Sequence, residues 1–309
     1  MSRTPLLGRA YDRMPASSWI RCLRLVPSLE RLGCEVEINP RSAENAPDAA
    51  VFLRRWSDAD LDLAETLRKR GTRIILDTPA NYFSDADSPR YRGGARNECL
   101  RFAETADLVT CPSEFTAAAA RNRGFRAEAV PDAVDPDMFP PRSGNGPDKP
   151  VLAWSGVASK AEDLNVLARA VRRNAWKVRI ISNEPPKLDF DYEFVKWRHK
   201  SFPAEIAESS LGVFPRRLDD DYDKGHSFFK IGVFLARRVP VVCSPVPSYA
   251  EIATQRNSIT VDSLDPDAWE TAVGRILDGS WRPDFTDNPV ERFTPDAIAG
   301  KLLSTILDG

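Results

Sequence analysis

Short runs of β-branched and aliphatic residues alternate, through both halves of the chain, with stretches in which apolar residues recur every three or four positions. That rhythm predicts strand-helix-strand units on parallel sheets, an α/β fold. In the first half Ile20, Leu23 and Val26 share a helical face that Pro27 interrupts, Gly33 ends the helix, and VEI at 36–38 reads as a strand. AAVFL at 49–53 predicts a buried strand, and Ser57 with Asp60 three residues later predicts a capping box. The helix it opens buries Leu61, Ala64 and Leu67 and closes at Gly71, before the strand TRIILD at 72–77. Asp77 therefore stands at a strand's C-terminal end. DLVTC at 107–111, a helix over EFTAAAARNR capped by Ser113 and ended by Gly124, and AEAV at 127–130 complete this half.

PPRSGNGPDKP at 140–150 has no apolar face and reads as a linker. The expected layout is a Rossmann-like domain over 1–145, a second over 146–285, and a segment 286–309 whose helix packs back on the first domain. The second half restarts with VLAWS at 151–155 and a helix near 161–173 carrying Leu164, Leu167, Ala168 and Val171. VRIIS, LGVFP and VPVVC are further strands, with helices expected near 203–209, 227–238, 266–278 and 295–307. Two α/β domains facing each other across a cleft would hold a ligand at the C-terminal edges of their strands.

At 309 residues and 42% hydrophobic, the chain is long enough for two cores. Its 43 Lys+Arg against 45 Asp+Glu leave a formal charge of −2, which gives no drive toward nucleic acid. Five cysteines without a C-x-x-C pair, only two histidines and no H-E-x-x-H argue against a disulfide framework or a built metal centre. No apolar run approaches membrane-spanning length, so a cytoplasmic protein is expected.

Two places carry candidate chemistry. After VLAWS, Gly156 and the segment VASKAED lead into a helix, and glycine at such a turn with Lys160 nearby suits a phosphate. The same residues fit a plain turn glycine beside a solvated lysine, since neither G-x-G-x-x-G nor a P-loop is present. The denser cluster is LDDDYDKGHSFFKIGVFLARRVPVVCSPVPSYAEI, which brings Lys224, His226, Ser227 and Lys230 to a helix start. Ser227 as cap, free N–H groups and Lys230 one turn in could hold a diphosphate; a solvated loop that offsets Asp219 to Asp223 is the alternative.

These segments resemble those of the large retaining family of GT-B glycosyltransferases that use nucleotide-sugars (glycosyl transferases group 1). CPSEFTAAAARNRGFRAEAVPDAVDPDMF at 111–139 is similar to the family's segment before the interdomain linker. WSGVASKAEDLNVL at 154–167 is similar to the turn under the donor diphosphate, and SFFKIGVFLARRVPVVCSPVPSYAEI to the helix and strand that follow. NSITVDSLDPDAWETAVGRIL is similar to the family's tail. Many members place two glutamates seven residues apart in this region; the register set by Pro240 puts Gly225 and Val233 there, and Arg238 where a glycine is usual.

The resemblance implies a metal-independent retaining transferase with no cofactor beyond its nucleoside-diphosphate sugar, working in polysaccharide, glycolipid or natural-product assembly. Gly156, Lys160, Ser227 and Lys230 would touch the diphosphate, and Glu251 the ribose or base. Asp77 would orient the acceptor hydroxyl and His226 would contact sugar or phosphate, although Asp77 also fits a strand-end turn. The acceptor is a glycan, a lipid-linked sugar or a small molecule, not nucleic acid, and peripheral membrane association is compatible with it. The missing glutamates keep a second expectation open, a catalytically inactive GT-B-like subunit that binds a nucleotide or a partner.

Overall fold

The computed structural model describes residues 5–9, 16–39, 46–84, 94–144, 147 and 149–308. Residues 145, 146 and 148 of the expected linker, and parts of the opening MSRTPLLGRAYDRMP, lie outside the described residues. Contacts divide the chain into two compact units. The first comprises Met1–Ala133, Asp220–Ser227 and Phe293–Gly309; the second comprises Val134–Asp219 and Phe228–Arg292.

The first unit is built on six parallel strands: β1 (Pro5–Arg9), β2 (Glu35–Ile38), β3 (Ala49–Leu53), β4 (Arg73–Asp77), β5 (Leu108–Cys111) and β6 (Ala127–Ala129), in the order β2-β1-β3-β4-β5-β6. Strand β4 is buried almost throughout, so its two faces feed two cores. Ile74 and Leu76 join Phe52, Leu67, Phe102 and Val109 on one side. Ile75 joins Leu25, Leu29, Leu108 and Val130 on the other, where the C-terminal helix Pro295–Leu307 closes the layer with Ile298, Ala299, Leu302 and Ile306.

Local sequence explains several boundaries. Ser57 and Asp60 exchange hydrogen bonds as a full capping box at the start of the helix Asp58–Arg68, and Gly71 leaves it at φ +88°. Ser113 accepts the Thr116 N–H at the start of Glu114–Asn122. The first helical region departs from its expected face: Ile20 is buried, but Leu23 and Val26 are only half-buried, while Arg21, Leu25, Ser28 and Leu29 turn inward. The cause is a π-helical turn over Trp19–Leu23, whose extra residue shifts the phase before Val26–Arg31 resumes with Pro27 tolerated in its first turn.

The second unit has strands β7 (Val151–Gly156), β8 (Lys177–Ser182), β9 (Glu193–Lys196), β10 (Leu211–Phe214), β11 (Val241–Cys243) and β12 (Ser258–Thr260), all parallel, in the order β12-β11-β10-β7-β8-β9. Its helices include Phe202–Ala207, Phe229–Ala236 and Pro266–Leu277, and the stretch after β7 begins as 3₁₀ turns before Ala168–Asn174 becomes α-helical. Because every connection returns to start a parallel neighbour, all strand C-termini share one edge, and each following helix begins there. Among the described residues no helix is long and apolar enough to cross a membrane.

Candidate functional site

That edge of the second sheet gathers four of the residues singled out from sequence. Gly156 ends β7, Lys160 lies in the 3₁₀ turn Ala158–Lys160 just beyond it, Lys230 is the second residue of the helix Phe229–Ala236, and Glu251 ends the 3₁₀ turn that follows β11. Gly156 and Lys230 are brought into contact. A Cβ on Gly156 would lie 2.8 Å from Lys230 Nζ and 2.6 Å from two ring atoms of Trp154, so only a glycine leaves room for them. The Lys230 ammonium sits 5.2 Å from the centroid of the Trp154 ring and is shielded from solvent. An aromatic face steadies such a cation at low cost in hydration. Trp154 was not anticipated; the signal was its place in VLAWS, two residues before β7 ends at Gly156.

Ser227 does not cap that helix. The N-cap position is Phe228, without a side-chain cap, because the chain first makes a separate turn of helix over Asp221–Lys224. Ser227 belongs with the first unit, as do Lys224 and His226. The segment Asp220–Ser227 is fastened there. Asn81 Nδ2 donates to the Asp221 carbonyl (3.3 Å), Ser84 Oγ to Asp221 Oδ2 (2.8 Å) and Thr116 Oγ1 to the Gly225 carbonyl (3.3 Å). Hydrogen bonds from Lys224 and then Ser84 hold the Asp221 carboxyl below its ordinary value. Gly225 lies so close that a Cβ would fall 2.4 Å from Asn81 Cβ. His226 is buried, with Nδ1 3.1 Å from the Tyr222 carbonyl and its ring edge-on to Tyr222. That carbonyl selects the tautomer protonated on Nδ1, and Nε2 lies 3.9 Å from Asp223 Oδ1.

Asp77 is engaged by residues that sequence reasoning missed. Its carboxylate accepts Arg21 Nε and Nη2 (2.7–3.1 Å) and Thr110 Oγ1 (2.9 Å). The same guanidinium reaches Asp132 Oδ1 at 2.6 Å and the Val130 carbonyl at 3.0 Å. Burial opposes the charge on Arg21, but Asp77 and Asp132 outweigh it and raise the guanidinium above its ordinary value. The triad ties the first helix to the ends of β4 and β6. An arginine within an apolar helical run, WIRCL, was the available clue. Arg55, two residues past the end of β3, pairs with Asp60. Among the described residues no group of three or more His, Cys, Asp or Glu is arranged to hold a metal ion.

No protein-family model and no curated protein matches the sequence. Solved structures do match. HepE (Alr3699) from Anabaena, solved with UDP and glucose, aligns with a TM-score of 0.71 over 99% of this chain and 100% of that one, at 11% identity. The lipopolysaccharide outer core galactosyltransferase WaaB, in its apo form, aligns with a TM-score of 0.68 over 99% of both chains, at 12% identity. This chain has the GT-B fold. The N-terminal domain of a Candida albicans trehalose-6-phosphate phosphatase shares it, with a TM-score of 0.62 and 10% identity over 100% of this chain and 97% of that one. Within the GT-B fold, the unit carrying Gly156 and Lys230 is the C-terminal one.

Proposed function

We propose that this GT-B chain is a glycosyltransferase that takes a nucleoside-diphosphate sugar as donor, retains the anomeric configuration and needs no metal. The observation that carries the reading is the shielded Lys230 ammonium, held against Trp154 and beside the bare backbone of Gly156 at the strand-end edge of the second sheet. A cation there meets the charge that builds on the departing diphosphate, the term that contributes most to lowering such barriers. The glycine lets phosphate oxygens approach the main chain, and Lys160 and the first N–H groups of Phe229–Ala236 add donors. Glu251, on the same edge, would take a ribose hydroxyl. In this scheme Asp77 acts through position, because its lone pairs serve Arg21 and Thr110. His226 is the candidate for contact with the sugar or phosphate. Retention follows if the leaving phosphate itself assists the incoming hydroxyl on the same face, a route that needs no enzyme nucleophile. The acceptor belongs to polysaccharide, glycolipid or natural-product assembly.

The test is a thermal-shift screen of the pure chain against UDP, GDP, ADP, CMP and dTDP, with and without magnesium, followed by turnover with the matching sugar donor. A selective ligand at 100 times its Kd stabilises by about 2.7 kcal/mol. Lys230→Ala should lose that shift and the turnover while keeping its circular dichroism spectrum. Full turnover in Lys230→Ala would refute the donor assignment.

One observation favours a second reading, an inactive GT-B subunit that binds a nucleotide or a partner. Gly225, at the place of a family glutamate, is packed against Asn81 with no room for any side chain, and Val233, at the other, is fully buried. Sugar transfer by the pure chain alone eliminates this reading; transfer only in the presence of a partner selects it.

A further inference from the structure

Two carboxylates share one buried cation in the first unit. Asp77, the last residue of β4, receives Arg21 Nε and Nη2 and Thr110 Oγ1, so both of its oxygens are occupied. Asp132, three residues past β6, receives only Arg21 Nη1, on Oδ1 at 2.6 Å. Its Oδ2 accepts no hydrogen bond among the described residues, although Asp132 is only 7% exposed. Nor is that oxygen shut away from solvent, since 8% of the side chain stays accessible.

One guanidinium balances one carboxylate, and Asp77 supplies it. The second carboxylate leaves a surplus negative charge where water is largely excluded, and an uncompensated charge of that kind is costly. Among the described residues Arg21 is the only cation in an ion pair with either acid. A fold that needed only to anchor the first helix would be served by the Asp77 bonds and the Val130 carbonyl. Arg21 moreover rides on the π-helical turn Trp19–Leu23, and such turns are frequent at functional sites. Strands β4, β5 and β6 are parallel, so Asp77 and the residues after β6 lie at the strand C-terminal edge, where open α/β sheets receive their ligands.

We propose that Asp132 Oδ2 takes a hydroxyl of the glycosyl acceptor, and that the surplus charge selects acceptors whose bound end is a neutral polyol. The inference rests on the transferase reading above and narrows its acceptor. A carboxylate oxygen whose partner oxygen is fixed by Arg21 receives a hydroxyl in a defined direction, and its charge strengthens that hydrogen bond. The same charge repels a phosphate or carboxylate brought beside it. An acceptor with an anionic group must therefore hold that group clear of this edge. Asp132 forms no bond to the sugar that moves and exchanges no proton; it binds and orients.

Asp132→Asn tests this, since the amide keeps Oδ1 for Arg21 and removes the charge. Sugar transfer is read as nucleotide release from the donor that the parent uses, with glucose, glucuronate or glucose 6-phosphate as the added acceptor. The parent should favour glucose over both anions by more than about 10-fold in kcat/KM. Asp132→Asn should raise the KM for glucose roughly 10- to 100-fold, bring the three sugars to within about threefold of one another, and leave nucleotide affinity unchanged. Urea denaturation gives the second readout. A surplus carboxylate predicts that Asp132→Asn unfolds at or above the parent's midpoint, while Asp77→Asn, which loses occupied lone pairs, unfolds below it. Equal use of the three sugars by the parent, a preference that survives in Asp132→Asn, or a midpoint that falls as far in Asp132→Asn as in Asp77→Asn overturns the inference. If none of the three sugars accelerates release in the parent, the midpoints decide. A parent that binds no nucleotide overturns the donor reading instead, and the midpoints still decide on Asp132.

Discussion

Gly225→Ala adds one methyl group where the structure leaves least room. The new Cβ would stand 2.4 Å from Asn81 Cβ, 3.1 Å from Thr116 Oγ1 and 3.2 Å from the Asn81 backbone nitrogen; ordinary contact begins at 3.4 Å. The first neighbour is thus 1.0 Å too close, and it is a main-chain-proximal atom that cannot swing aside. The backbone itself raises no objection, since Gly225 has φ −78°. Overpacking of this kind costs about 1–3 kcal/mol, against which loss of glycine's freedom in the unfolded chain returns about 0.4–1 kcal/mol. The alternative route is for the segment 220–227 to lift away, forfeiting the bonds from Asn81, Ser84 and Thr116 at about 0.5–1.5 kcal/mol each. The cheaper route prevails, so a net loss of about 1.3 kcal/mol is expected, felt first as local opening.

Native-state hydrogen exchange read by mass spectrometry would show it as roughly 10-fold faster exchange in peptides spanning 79–84, 113–119 and 220–227. Gly274→Ala is the internal control. It lies inside the helix Pro266–Leu277 with nothing within 4 Å of the new methyl, and should stabilise by about 0.5–1 kcal/mol. Exchange in Gly225→Ala within about threefold of the parent, a difference under about 0.7 kcal/mol, would refute the claim that this segment is locked by contact.

Three further outcomes are expected. Arg21→Met leaves Asp77 and Asp132 buried without their cation and should cost about 3–5 kcal/mol by urea denaturation; a loss below about 1 kcal/mol would mean that the triad contributes little. Arg238 holds φ +56°, exposed, just after Phe229–Ala236, so Arg238→Gly should raise stability by about 1 kcal/mol, and a lower melting temperature would contradict this. Burial opposes the charge on Asp60, but hydrogen bonds from Ser57 and Arg55 prevail and hold its carboxyl below the ordinary 3.8. Its contribution is therefore full above that value and lost as pH falls through the lower folded one, so Asp60→Asn should flatten the acid limb of a stability-pH curve below about pH 4.

What could be read from the chain beforehand divides by the range of the interactions involved. The capping box of Ser57 and Asp60 and the closing Gly71 are local devices, satisfied within a few residues, and the helix they bound was legible from them. So were the buried runs of β3, β4 and β5, which need only to be apolar on both faces. Strands β9 and β12, three or four half-exposed residues each, owe their existence to the neighbour that pairs with them. The phase of the first helix turned on a π-helical turn at Trp19–Leu23 that no periodicity announces. At the site, Gly156 and Lys160 could be singled out from a turn, but Trp154 under Lys230 is a contact across the fold. Lys224 to Lys230 read as one cluster because they are adjacent in sequence; contacts instead part them between Ser227 and Phe228, and Ser227 loses its cap.

The C-terminal helix gives this chain an unusual relation to its own synthesis. The face of the first sheet formed by Leu25, Leu29, Ile75 and Leu108 is covered by Ile298, Ala299, Leu302 and Ile306, and the same unit takes Asp220–Ser227 against Asn81 and Thr116. A chain emerging from the ribosome N-terminus first must therefore carry that apolar face bare while the whole second unit is made, since its cover follows that unit in the chain. The N-terminal half cannot mature ahead of the C-terminal half, and a truncation before Pro295 would strike the core of the unit made first.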